Sequence, residues 1–196
     1  MTRSVSCGES LISLLESYEV DTVFGIPGVH TLDLYRGLAH SNIRHVQARN
    51  EQGAGFMADG YARLGGKPGV CVLISGPGVT NACTPMGQSF ADSIPVLVIS
   101  STTASYSLGK GWGCLHEVTD LEAVTRPLTA LSATARSPDD LEELIGQAFS
   151  IFASERPRPV HIAVPIDVLA QPVSTTWQRR TVPSRPAPAG SAIREA

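Results

Sequence analysis

The sequence predicts an α/β fold, a three-layer sandwich with a mainly parallel sheet. Three observations carry that expectation. Four short runs rich in Val and Ile are apolar on both faces, as strands covered by helices on both sides must be. Helix-patterned segments alternate with these runs, which is the order of a parallel sheet with crossovers. Finally, 196 residues at 42% hydrophobic content suffice to bury one sizeable core.

The elements follow in order. CGESLISLLESY (7–18) reads as a helix and VDTVFGI (20–26) as the first strand. TLDLYRGLAH (31–40) reads as a helix, and IRHVQA (43–48) as a weaker strand. Residues 51–64 carry apolar positions at helical spacing, with Ala54, Met57 or Ala58, Tyr61 and Leu64 on one face. GVCVLIS (69–75) is a strand, TNACTPMGQSFADS (80–93) a helix and PVLVIS (95–100) a strand. SPDDLEELIGQAFSIFAS (137–154) opens on Ser137 with Asp139, Asp140, Glu142 and Glu143 behind it, a favourable helix N-terminus. PVHIAVP (159–165) is the last strand. The folded domain is expected over 1–170. Beyond it, 171–196 is rich in Pro and Arg, with Pro172, Pro183, Pro186 and Pro188, and reads as a mobile linker or tail from about Gln171.

Composition narrows the function. A formal net charge of −3 without a basic face argues against nucleic acid. No apolar run approaches the roughly 20 residues that span a bilayer, and the first residues lack a secretory h-region, so a cytoplasmic protein is expected. Cys7, Cys71, Cys83 and Cys114 are too scattered for a zinc site and read as idle thiols in a reducing compartment.

The stretch QARNEQGAGFMADGYARLGG (47–66) is the most informative. Asn50 is an N-cap candidate, which puts Glu51 in the first turn of the helix. Glu51 either complements the helix dipole or does chemistry there. Gly53, Gly55 and Gly60 lie inside the helix, each costing it about 1 kcal/mol relative to Ala. Gly53 and Gly55, beside Glu51, point to close approach of another backbone, a subunit or a flat ligand, or to tight helix–sheet packing. GIPGVH (25–30) and SGPGVTN (75–81) are glycine turns at strand ends, where open parallel sheets place ligands. The second is not a dinucleotide fingerprint, because Asn81 stands where the third glycine belongs, and no GK[ST] follows to make a P-loop.

Together, VFGIPGVHTLDLY, RNEQGAGFMADGYAR, SGPGVTNACTPMGQSFADSIPVLVIS, LHE and RPVHIAVPIDVL resemble the N-terminal pyrimidine-binding domain of thiamine-diphosphate-dependent enzymes. The similarity is to the acetolactate synthase, benzaldehyde lyase and benzoylformate decarboxylase branch, over about residues 5–170. The resemblance implies a 2-oxo acid decarboxylase or carboligase that uses thiamine diphosphate. Glu51 aligns with the family's cofactor-activating glutamate, which shares a proton with N1′ of the aminopyrimidine and needs an apolar setting that raises its pKa. The resemblance also places Gly25, Pro27 and Gly28 in a loop near the active site. Gly76, Pro77, Gly78 and Asn81 fall beside the pyrimidine and a subunit interface. His30 matches a substrate-side histidine of benzaldehyde lyase, with a solvated loop histidine as the other reading. His116, ahead of Glu117 in LHE, falls where relatives have a substrate-facing glutamine. Asp92 is expected to hold a helix–strand turn, and the Ala-Asp-Gly of 58–60 to be helix interior.

The family holds its diphosphate and Mg²⁺ on a separate domain with a Gly-Asp-Gly motif, which these 196 residues lack. Two arrangements follow: a split enzyme with the diphosphate-binding domain on another chain, or the front part of a longer enzyme. Homo- or hetero-oligomerisation is expected, with an exposed apolar patch around 53–57 and 78–86. A third reading is a non-catalytic remnant that regulates a full-length homologue.

Overall fold

The structure, a computed structural model, describes residues 5–182. It begins with β1 (Val5–Ser6), α1 (Cys7–Ser17), β2 (Thr22–Gly25), a 3-10 turn (Val29–Thr31), α2 (Leu32–Leu38) and β3 (Arg44–Gln47). Then come α3 (Glu51–Gly65), β4 (Gly69–Leu73), α4 (Pro77–Asp92), β5 (Val96–Thr102) and α5 (Leu121–Thr125). The chain closes with β6 (Leu131–Thr134), α6 (Pro138–Ser154), β7 (Val160–Pro165), α7 (Ile166–Leu169) and β8 (Pro172–Val173).

Six strands form one sheet in the order β3-β2-β4-β5-β7-β6, and every pairing in it is parallel. Parallel crossovers are right-handed, so segments stepping in opposite directions along the sheet lie on opposite faces. α1 packs on α2 and α6 on one face, while α3 packs on α4 on the other. Successive strand residues feed the two faces alternately. Val23, Val70, Val72, Leu97 and Ile99 join Leu11, Leu15 and Ile145 in one core; Phe24, Cys71, Leu73 and Val98 join Ala54, Ala58 and Met86 in the other. Burial pushes the Cys7 and Cys71 thiols up to about 12, so both stay protonated. The described cysteines are all free.

Three features differ from expectation. β6 was not foreseen: LSAT is a four-residue edge strand without a Val/Ile run. α4 starts at Pro77 rather than at residue 80, because proline fits the first helical turn, where no intrahelical N–H bond is needed. The segment expected to be mobile from Gln171 is tied down as far as it is described. β8 pairs antiparallel with β1, Trp177 is buried in the first core, and the Arg180 N–H donates to Tyr18 Oη at 3.1 Å. The indole supplies the apolar surface that the proline-rich composition concealed. Residues 183–196, with Pro183, Pro186 and Pro188, lie outside the described residues.

One polar group sits deep in the second half of the sheet. His161 of β7 is fully buried, with Nε2 2.8 Å from Ser100 Oγ and Nδ1 2.8 Å from Thr125 Oγ1. Burial lowers its pKa from 6.5 to about 4. The unfolded chain therefore binds this proton more tightly. Its contribution to stability is complete above pH 6.5 and is lost as pH falls toward 4, a loss on the order of 3 kcal/mol. Urea midpoints measured from pH 7 to 4.5 will show this fall, and His161→Asn will remove its share. Trp177→Ala is expected to cost about 3 kcal/mol and to expose residues 171–182 to limited proteolysis.

Candidate active site

The chain leaves β2 toward β3 on one side and returns to β4 on the other. That reversal marks the carboxyl ends of β2 and β4 as the place where open parallel sheets bind ligands. The 3-10 turn after β2 carries His30, Gly76 and the start of α4 through Asn81 follow β4, and the next strand outward, β3, leads to Glu51.

Glu51 is set by its helix start. Asn50 is extended and its Oδ1 accepts the Gln52 N–H at 2.8 Å, which turns the chain into α3 with Glu51 first. The Asn81 amide donates to Glu51 Oε2 at 2.9 Å from the second turn of α4. Among the described residues Oε1 has no hydrogen-bond partner. The carboxylate is half-buried, and the apolar enclosure expected around it is not complete among the described residues.

The glycines divide by cause. At Gly55 a Cβ would collide with the Pro85 ring of α4, so this glycine serves close packing of α3 on α4. A Cβ at Gly53 or Gly60 would meet nothing. Gly78 is bare beside the carboxylate, where a Cβ would stand 3.8 Å from Glu51 Cγ and press on Ile74. Gly76 has φ +55°, and a side chain there would strike the His116 carbonyl. Gly25 lies inside β2, its missing Cβ making room for the Val72 carbonyl. Pro27 is exposed, and Gly28 exchanges hydrogen bonds with Thr31 Oγ1, both 3.0 Å, to close the 3-10 turn. The expected apolar patch is smaller than foreseen. Phe56 is exposed, but Val79, Ala82 and Met86 point into the core, leaving Pro77, Thr80 and Asn81 outward.

His30 is not a solvated loop residue. It is buried, its Nδ1 has no partner, and its ring stands edge-on to His116 with centroids 5.7 Å apart. Burial, then the neighbouring His116, lowers its pKa. His116 has φ +59° and is half-buried, and its carbonyl accepts Ser75 Oγ at 3.3 Å. One line of contacts thus runs from Glu51 through Asn81 and the start of α4 to His116 and His30. Ser75 and Glu117 were missed as members of this constellation, because nothing in a lone serine or a surface glutamate marks it. Asp92 bridges the helices rather than the helix–strand turn: it accepts from Arg63 at 2.6 Å and Gln88 at 2.8 Å, and Arg63 holds its carboxyl below the usual range. Asp59, inside α3, is taken by Arg63 and Ser89.

The family model for thiamine pyrophosphate enzymes, N-terminal TPP binding domain, matches residues 5–124. The chain belongs to this family. It is 61% identical over 196 residues to a probable 2-ketoarginine decarboxylase of Pseudomonas aeruginosa, covering 99% of this chain and 35% of the relative. It is 39% identical over 179 residues to an acetolactate synthase large subunit of Mycobacterium tuberculosis, covering 91% and 28%. With the mitochondrial acetolactate synthase catalytic subunit of Saccharomyces cerevisiae it shares 37% over 182 residues, covering 90% and 26%. The chain spans about a third or less of the length of these relatives. The family is therefore the one the glycine turns and Glu51 suggested, and the cofactor it uses is thiamine diphosphate.

The two imidazoles give this site a measurable signature. In an NMR titration His30 will titrate below 6.5, and His116→Asn, which tolerates the left-handed backbone, will raise its pKa.

Proposed function

We propose that these residues form the pyrimidine-binding part of a thiamine-diphosphate-dependent 2-oxo acid decarboxylase or carboligase, with Glu51 as the cofactor-activating carboxylate. The observation that carries the reading is the unshared Oε1 of Glu51 at the mouth of α3, beside the bare backbone of Gly78. A flat aminopyrimidine fits there: Oε1 is left to share a proton with a ring nitrogen, and Gly78 lets the ring approach. Asn81 fixes the carboxylate's orientation through Oε2. Bound thiamine diphosphate supplies the electron sink for decarboxylation of a 2-oxo acid. His30 and His116 face the substrate side in this reading and offer ring nitrogens to its carboxylate. Gly25, Pro27 and Gly28 shape the loop that carries His30, and Gly76 and Pro77 shape the turn that meets His116. The 61% relative makes 2-ketoarginine the first substrate to test.

Among the described residues no three His, Cys, Asp or Glu converge as a cation site. The proposal therefore places the diphosphate and Mg²⁺ on a domain outside these 196 residues, on another chain or further along the same protein. In this reading the pyrimidine domain runs past residue 170 to include the packed segment 171–182, and the protein works as a cytoplasmic homo- or hetero-oligomer. No helix among the described residues is long and apolar enough to cross a membrane.

Glu51→Gln, assayed with the diphosphate domain present, is expected to slow exchange of the cofactor's C2 proton by about 10²-fold or more. Exchange at the wild-type rate would remove Glu51 from the assigned role.

A further inference from the structure

We propose that Glu117 is a positioning residue that holds His116 against His30. The inference rests on the reading of His116 as part of the active site and adds the device that keeps it there. Residues 108–120 form no helix or strand. Gly109, Gly111 and Gly113 all have positive φ, near 70°, so the loop winds in a conformation that side chains resist. Its exposed tip has little to pack on: Trp112 is 63% and Leu115 57% exposed.

What gathers the loop is one carboxylate. Glu117 Oε1 accepts the Gly111 N–H at 3.0 Å, and Oε2 accepts those of Gly113 at 2.7 Å and Cys114 at 2.9 Å. The Glu117 N–H closes the turn on the Cys114 carbonyl at 2.9 Å. Charge-assisted bonds from converging N–H groups are the strong kind, and three of them act on one side chain.

His116 sits between this clasp and the start of α4. A left-handed histidine is sterically disfavoured and persists only where its surroundings over-determine it. On one side its carbonyl accepts Ser75 Oγ over the space that Gly76 leaves bare. On the other, Glu117 fixes the Cys114–Glu117 turn in which the histidine lies. Val118, packed with Val79, Leu121 and Ala163, anchors the base of the loop and not its tip. Without the carboxylate, residues 109–116 are free to relax, and the imidazole loses its edge-on contact with His30.

The test compares wild type, Glu117→Gln and Glu117→Asp by NMR on the 196-residue chain without cofactor or substrate. In Glu117→Gln, amide exchange at Gly111, Gly113 and Cys114 is expected to rise about tenfold or more, as lost charged hydrogen bonds imply. The ring-to-ring NOE between His30 and His116 should vanish while the buried His161 signals stay in place. Glu117→Asp, which keeps the charge, should restore part of the NOE. An unchanged NOE and unchanged exchange in Glu117→Gln would overturn the proposal. So would loss of the His161 signals, because the carboxylate would then be a support of the whole fold. Neither readout involves Glu51, so this proposal and the catalytic reading can fail separately.

Discussion

The hydrogen bond from the Asn81 amide to Glu51 is the contact on which the site depends. Its donor is neutral, so one carboxylate oxygen is oriented without a cationic partner among the described residues. A lysine or arginine in that place would have turned the group into an ion pair. The bond also joins two helices that begin at different strands, so the carboxylate's direction is fixed only when α3 and α4 are packed. Gly55 against Pro85, the small residues of α3 and the Asp59–Arg63–Asp92 bridge make that packing close. Side chains far from the carboxylate thus decide where it points.

The start of α4 organises the rest. Proline at its first position begins the helix early, which brings Asn81 to the second turn and leaves Gly76 in a left-handed conformation beneath the His116 carbonyl. The start of α4 and the residues just before it thus contact both the acid on α3 and the His116 backbone. Sheet topology makes this possible: strand order reverses between β2 and β4, so the segments after those strands leave the sheet side by side.

Much of this was legible in the sequence because parallel strands buried on both faces are nearly pure Val, Ile and Leu, and the helices between them carry their own caps. Glu51 and Asn81 were legible as single residues, since Asn50 and the glycine turns punctuate the chain around them. Their hydrogen bond was not, because thirty residues separate them and only the packing of α3 on α4 brings them together. β6 escaped because an edge strand of four residues has no pattern to show. The anchoring of 171–182 escaped because one tryptophan outweighs a proline-rich composition. His30 illustrates a different limit: the resemblance left a substrate-side and a solvated reading open, and burial of the ring removed the solvated one.

Gly53 and Gly60 weaken α3 by roughly 1 kcal/mol each, and within the described chain nothing is gained in return. Engineering for melting temperature alone would replace both with alanine and score the change as an improvement. In the proposed assembly, the same edit would roughen a helix flank that offers bare backbone to the diphosphate-binding domain. Thermal robustness and fit to a neighbour therefore pull these two positions in opposite directions.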